Sequence, residues 1–225
     1  MMGFATIWKD LFKGRLTKKD LSKLFLPSVL ILIACWTIAK VLYPNEDGYA
    51  IDVFYISRQG NLNYNPVGGW FFILSTVYVG IMLVFYFVHV YHVVKPRVKV
   101  LPQLFLLSGI VGGLGLAMVG MFPEGFGGIV PKLHDIGATL GFGSLAIAAL
   151  FYLIIMICKL ILRQPWPNLS QFTALLALTF FFIIQILFTR SGSLTQWSAF
   201  YAVFVWMIGM YMLLPEENSP RKEST

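Results

Sequence analysis

Three histidines and a scatter of carboxylates, amides and cations are the residues of this chain whose types admit chemistry. His89 and His92 form a His-x-x-His pair, a spacing that suits two metal ligands on one helix, while His134 stands apart and is followed by Asp135. A zinc centre takes three or four protein ligands, and no cysteine or carboxylate accompanies the pair. His89 also lies nineteen residues beyond Trp70, or ~28 Å along a helix rising ~1.5 Å per residue. The three histidines are therefore not expected to share an ion, and no metal or cofactor is expected. A nucleophile elbow, a phosphate loop and an acidic metal pair are missing as well.

A second group is more suggestive. Asp52, Ser57, Arg58, Gln59, Asn61, Asn63 and Asn65 fall within 44–69, Glu124 and Lys132 within 122–134, and Arg190, Ser191, Ser193, Thr195 and Gln196 form a third run. One chemistry for them is proton transfer by His134. Its neighbour Asp135 does not face it on a helix, so Glu124, on a loop that can fold back, is the better companion for a base. The other chemistry is anion recognition. A helix opening at His134 would offer backbone N–H groups and a positive dipole end. Lys132 and Arg190 would supply charge, with Ser57 and Asn61 as neutral donors. The expected ligand set is thus His134, Asp135, Glu124, Ser57, Asn61, Lys132 and Arg190, around a phosphate-like headgroup or around the Glu124 carboxylate. Against it stands a plain solvated loop surface, with Asp135 capping its helix.

The elements that must position these residues follow from composition. Of 225 residues, 58% are hydrophobic and only 12% charged, where a soluble domain carries roughly 25% charged. Apolar runs at about 25–43, 70–94, 101–121, 136–158, 169–189 and 197–214 each approach or exceed the ~20 residues that cross a bilayer. The expected fold is all-α: a six-helix transmembrane bundle over 25–214 with a polar loop cap, a cytoplasmic segment 1–24 and a tail 215–225. Lys9, Lys13, Arg15, Lys18, Lys19, Lys23, Lys95, Arg97, Lys99, Lys159, Arg163, Arg221 and Lys222 fall on the side of the termini. Only Lys40, Arg58, Lys132 and Arg190 fall on the other. Positive charge accumulates on the cytoplasmic side, so both termini are expected inside and the polar loops outside. This distribution also explains the net charge of +7 without nucleic acid.

Several local patterns refine the plan. Phe4, Ile7, Trp8, Leu11 and Phe12 form an apolar stripe that predicts a basic amphipathic helix on the inner leaflet, and Thr17 with Asp20 predicts a capped helix start. Gly109, Gly113 and Ala117, and then Gly137, Gly141, Ser144 and Ala148, form small-residue stripes that allow close helix packing. Gln185, deep in the fifth run, predicts an interhelical hydrogen bond. Cys35 and Cys158, both in apolar runs, read as small hydrophobes.

Two stretches resemble a known family. Ile56-Ser57-Arg58-Gln59-Gly60, then Pro66 and the pair Phe71-Phe72, together with His134-Asp135-Ile136-Gly137-Ala138 and Phe142-Gly143, are similar to the DRAM/Frag/Sfk family over roughly 25–214. The chain departs from the family pattern at Val67, which follows Pro66 where the family carries an acidic residue. A prokaryotic six-helix family of unknown function shares the layout, and both remain open. The resemblance implies lipid-associated work: lipid remodelling, lysosomal regulation or support of lipid-kinase complexes. The sequence thus favours a non-enzymatic membrane protein with an outward polar pocket, a lipid-handling factor or an accessory subunit, with membrane lipids and other membrane subunits as partners. A membrane-embedded enzyme acting on a lipid headgroup and a small-solute transporter are the alternatives.

Overall fold

In a computed structural model, residues 9–14, 16–44, 50, 52–94, 100–164, 166–188 and 192–215 are described. Six long helices dominate: α1 (Lys18–Val41), α2 (Gly68–Val94), α3 (Val100–Met121), α4 (Val130–Ile161), α5 (Leu169–Leu187) and α6 (Ser193–Leu213). All six are long and apolar enough to cross a membrane, and no strand occurs among the described residues. The chain is an all-helical, multi-pass membrane protein.

Local sequence sets the helix ends. Thr17 caps α1, its hydroxyl oxygen accepting from the Asp20 N–H at 3.2 Å, so the helix begins a full two turns before its apolar run. Asn168 and Gln171 cap α5 reciprocally at 2.8 and 3.0 Å, satisfying two backbone donors that a helix start leaves open. Pro131 occupies the first turn of α4, where a missing N–H costs nothing. This corrects the expectation that His134 opens that helix and that Asp135 caps it. The cap position is Ile129, which makes no side-chain bond, and His134 lies a turn further in.

Chain neighbours are spatial neighbours from α1 through α6, as short connections require. Helix α3 is gripped on two faces. A Cβ on Gly113 would meet the Gly80 carbonyl oxygen of α2 at 2.7 Å, and one on Gly109 would enter the Phe87 ring. On the other face Gly115 lies against Gly137 and Gly141 of α4, and Gly112 against Leu145. The stripe of Gly109, Gly113 and Ala117 therefore serves α2. The α3–α4 seam uses Gly112 and Gly115, which the stripes read from sequence did not include; Gly137 and Gly141 supply its α4 side. Ser144 is half-buried on α4.

Helix α6 closes the bundle through aromatic side chains. Trp206 stacks on Phe182 of α5 at 5.3 Å between centroids and donates to the Thr179 hydroxyl at 3.1 Å. The Tyr86 hydroxyl of α2 donates to the Met207 carbonyl at 2.8 Å. Ser198 of α6 donates to Gln185 of α5 at 2.6 Å, the interhelical bond that Gln185 suggested. At the end of the bundle where α1 begins, Leu11 is buried while Phe12 is 60% exposed. The apolar stripe of the first residues is thus split there, one member in the bundle and one out. Phe4, Ile7 and Trp8 lie outside the described residues.

Candidate functional site

The opposite end of the bundle is covered by the segment between α1 and α2, which turns through a short 3-10 helix, Ile56–Gly60, with Ser57 and Gln59 buried. Polar side chains fasten it. The Ile56 N–H donates to Gln196 at 2.8 Å, the Ser193 hydroxyl to the Asp52 carbonyl at 2.5 Å, and the Trp197 indole to the Phe54 carbonyl at 3.2 Å. These three bonds fix the segment to the first turn of α6. Asn65 fastens it to α1: its amide donates to the Ala39 and Gln59 carbonyls, both at 3.0 Å. Gly68 must be glycine-small here, because a Cβ would come within 2.8 Å of the Ala39 oxygen. Arg58 turns away from the interior. It donates to the Tyr43 hydroxyl at 3.1 Å and lies over the rings of Phe54 and Tyr64 at 4.6 and 4.3 Å. The Tyr43 bond raises its already high pKa against a smaller opposing effect of burial, so Arg58 is a permanent cation in an aromatic clamp.

The second covering loop, between α3 and α4, brings Glu124 and His134 to Ser57. The Ser57 hydroxyl donates to Glu124 Oε1 at 2.5 Å, and His134 Nε2 stands 3.7 Å from the same oxygen. His134 Nδ1 lies 2.9 Å from the Phe122 carbonyl oxygen. A carbonyl only accepts, so Nδ1 carries the proton and Nε2 is the nitrogen turned to the carboxylate. The ring is 6% exposed and the Glu124 side chain 39%, so the carboxylate is the solvent-facing member. Gly125, at φ +98°, makes the turn that returns the chain toward Asn61. The Asn63 amide then donates to the Gly125 carbonyl at 2.5 Å.

This order of groups decides the chemistry. Nucleophilic activation needs the serine proton directed at an imidazole nitrogen. Here the hydroxyl donates to a carboxylate that stands between serine and histidine, so Glu124 joins the two covering loops to the start of α4 rather than activating Ser57.

Of the seven residues expected to gather, Ser57, Glu124 and His134 do, and Asn61 lies against Gly125, next in the chain to Glu124, while accepting from the Asn63 N–H at 3.1 Å. Lys132 and Asp135 are exposed, and their side chains make no hydrogen bond or ion pair with a described residue. Arg190 lies outside the described residues. Because α4 begins at Val130, the dipole argument for an anion at His134 weakens, since that effect fades beyond the first turn. His89 and His92 sit near the far end of α2, and no cluster of three metal-ligating side chains occurs among the described residues.

One feature was not legible in the sequence as a site. A cavity of about 170 Å³ lies between α1 and α6, lined by Leu32, Ile33, Trp36, Thr37 and Lys40 on one side and Trp197, Phe200, Tyr201 and Phe204 on the other, with Gln59 above. Thr37, Lys40 and Tyr201 are exposed on the bundle surface, so the cavity opens sideways, toward lipid. Gln59 is fully buried, yet neither its amide nitrogen nor its oxygen has a partner, and the Trp36 indole nitrogen is likewise unpaired. A buried polar group left without a partner costs ~1–3 kcal/mol. The signals in the sequence were ordinary helical stripes, Leu32-Trp36-Lys40 and Trp197-Phe200-Tyr201-Phe204, which look the same as packing faces.

Comparison with known proteins gives one finding. No curated protein and no solved structure matches the chain. A family model does match, from residue 27 to residue 212, a range that takes in all but the ends of the six-helix bundle with both covering loops. The chain therefore belongs to the family described as Protein of unknown function (DUF998).

Proposed function

We propose that this protein is a lipid-handling membrane factor or accessory subunit that binds a lipid without transforming it. The observation that carries this reading is the partition of polar groups at the covered end. Ser57, Glu124, His134, Asn63 and Asn65 are engaged with one another or with backbone. The Gln59 amide and the Trp36 indole nitrogen are buried and unpaired, as is the Asn65 side-chain oxygen, and Gln59 and Trp36 belong to the lining of a cavity that opens between α1 and α6. A solute pathway would instead cross the bundle with ionisable groups near mid-membrane. An enzyme would need a base free of other duties, and His134 has the Phe122 carbonyl on one nitrogen and Glu124 on the other.

The distribution of Lys and Arg supports an outward-facing cap and cytoplasmic termini. The Ile56–Gly60 run, the His134–Ala138 run and the six-helix plan support a relationship to the DRAM/Frag/Sfk family, whose lipid-associated work agrees with this reading. The test is retention. Protein purified in mild detergent and released in a native mass spectrometer should carry bound phospholipid at about one per chain. Protein that carries none, and that no added lipid stabilises against heat, would refute the reading.

A further inference from the structure

The cavity between α1 and α6 has a polar end whose chemistry selects its occupant. We infer that it binds one hydroxylated anionic phospholipid of the phosphatidylglycerol type. The phosphate meets Lys40, the glycerol hydroxyls and ester oxygens meet Gln59 and Trp36, and an acyl chain runs along Leu32 and Phe204. The inference rests on the lipid-handling reading and specifies its ligand.

Size is the first argument. A cavity of about 170 Å³ is comparable to apolar cavities of roughly 150 Å³ that admit a benzene ring. It takes a stretch of one chain, not a whole lipid, and its sideways opening lets the remainder lie in the bilayer. The walls agree: Leu32, Ile33, Phe200 and Phe204 are purely apolar.

Hydrogen-bond arithmetic is the second. The Trp36 indole offers one N–H and nothing else, and the Gln59 amide offers two N–H groups and an accepting oxygen. All of these atoms are buried and unpaired. The occupant must therefore present acceptors and also at least one donor. Ester and phosphate oxygens supply the acceptors of any phospholipid; only a headgroup with O–H or N–H supplies the donor.

Charge is the third. Lys40, in the last turn of α1, lines the same cavity and pairs with no described residue. It stands at headgroup depth, where Trp36, Trp197 and Tyr201 have the amphipathic rings that favour this level. A phosphate satisfies the ammonium. A choline head has no donor for Gln59 and brings a second cation to Lys40. An ethanolamine head has the donor but the same cation. A glycerol head has hydroxyl donors and leaves the phosphate charge for Lys40.

The experiment measures lipid retention by native mass spectrometry, and the thermal midpoint, for full-length protein in the presence of phosphatidylglycerol, phosphatidylcholine or soluble glycerol 3-phosphate. Wild type should retain phosphatidylglycerol about tenfold more readily than phosphatidylcholine, the ratio of one charge-assisted hydrogen bond. Glycerol 3-phosphate should give no shift, because the chain anchors the ligand. Lys40→Gln should bring the two lipids to within about twofold. Trp36→Phe keeps the ring and removes only the N–H, and should weaken both lipids. Gln59→Leu separates a ligand role from a folding role. It removes the buried unpaired amide, so the lipid-free protein should melt higher while its preference for phosphatidylglycerol is lost. Equal retention of both lipids by wild type would overturn the headgroup assignment and leave the lipid-handling reading standing. Unchanged selectivity in Lys40→Gln and Gln59→Leu would place the lipid elsewhere and overturn the site, including the case in which water alone fills the cavity. Retention of no lipid by wild type would overturn both.

Discussion

Gly115→Ala tests whether the helices that carry His134 are held where the structure has them. The added methyl would lie 2.7 Å from the Gly141 Cα and 2.8 Å from the Gly137 carbonyl oxygen. Carbon atoms rest at ~3.5 Å or more, and the Gly141 backbone nitrogen is nearer still, so α3 and α4 must part by at least ~0.8 Å to admit it. The obstructing atoms are backbone, and no rotamer change relieves them. Overpacking of this kind costs ~1–3 kcal/mol. The gain in helix propensity on replacing glycine, ~1 kcal/mol in water, largely cancels in a membrane, where the separated helices keep their backbone bonds. The net expectation is therefore a loss of ~1–3 kcal/mol, roughly fivefold to 150-fold in the folding equilibrium.

Gly143→Ala is the matched control, because a Cβ there meets nothing within 4 Å. It should change stability by less than ~0.5 kcal/mol. The assay is reversible unfolding in mixed micelles across a denaturing-detergent titration, read by the fluorescence of the six tryptophans. If Gly115→Ala unfolds within ~0.5 kcal/mol of Gly143→Ala, the close α3–α4 seam is not what positions the start of α4.

Two further outcomes follow from the covering loops. Glu124→Ala removes the acceptor that Ser57 and His134 share and should raise amide exchange in 122–129 by about tenfold or more, as loss of a charge-assisted bond implies; unchanged exchange there would show that Glu124 does not hold the loop. For orientation, a cysteine at Gly127, where a Cβ meets open space, should react with an impermeant reagent added outside intact cells, in a background lacking Cys35 and Cys158. A cysteine at Arg163 should not, and the reverse pattern would invert the proposed topology.

How much of this was readable in advance differs by kind of feature. Helix identity was plain, because six apolar runs in a chain with so little charge have one solvent in which to fold. Helix ends were less so. The first helix starts at Lys18 and the fourth at Val130, before their apolar runs, because Thr17 and Pro131 act on the backbone and not through hydropathy. The grouping of Ser57, Glu124 and His134 was partly legible: topology puts all three at one end, and Glu124 on a loop was the natural partner. Their order in space was not legible, because only the turn at Gly125 decides that Glu124 comes between the other two. Gln59 was visible as a member of a motif, but its meaning is its complete burial, which one sequence does not display.

The location of the cavity has its own cause in the residues. Where α2, α3 and α4 meet, glycines let backbones approach: Gly80 and Gly113 on one seam, Gly115, Gly137 and Gly141 on the next. Helix α1 has no glycine at all, and Gly209, the one glycine of α6, faces Leu178 of α5. The α1–α6 seam is instead held apart by rings, with Trp36 against Phe200 at 3.9 Å and against Trp197 at 6.1 Å between centroids. Large planar side chains meeting between two helices leave spaces that small residues do not. In a membrane no hydrophobic force squeezes such a seam shut, since lipid tails are as apolar as the side chains they would displace. A gap there can therefore stay open at little cost, which is what the proposed lipid site requires. The unpaired amide of Gln59 is the group through which the proposed site would favour a particular headgroup.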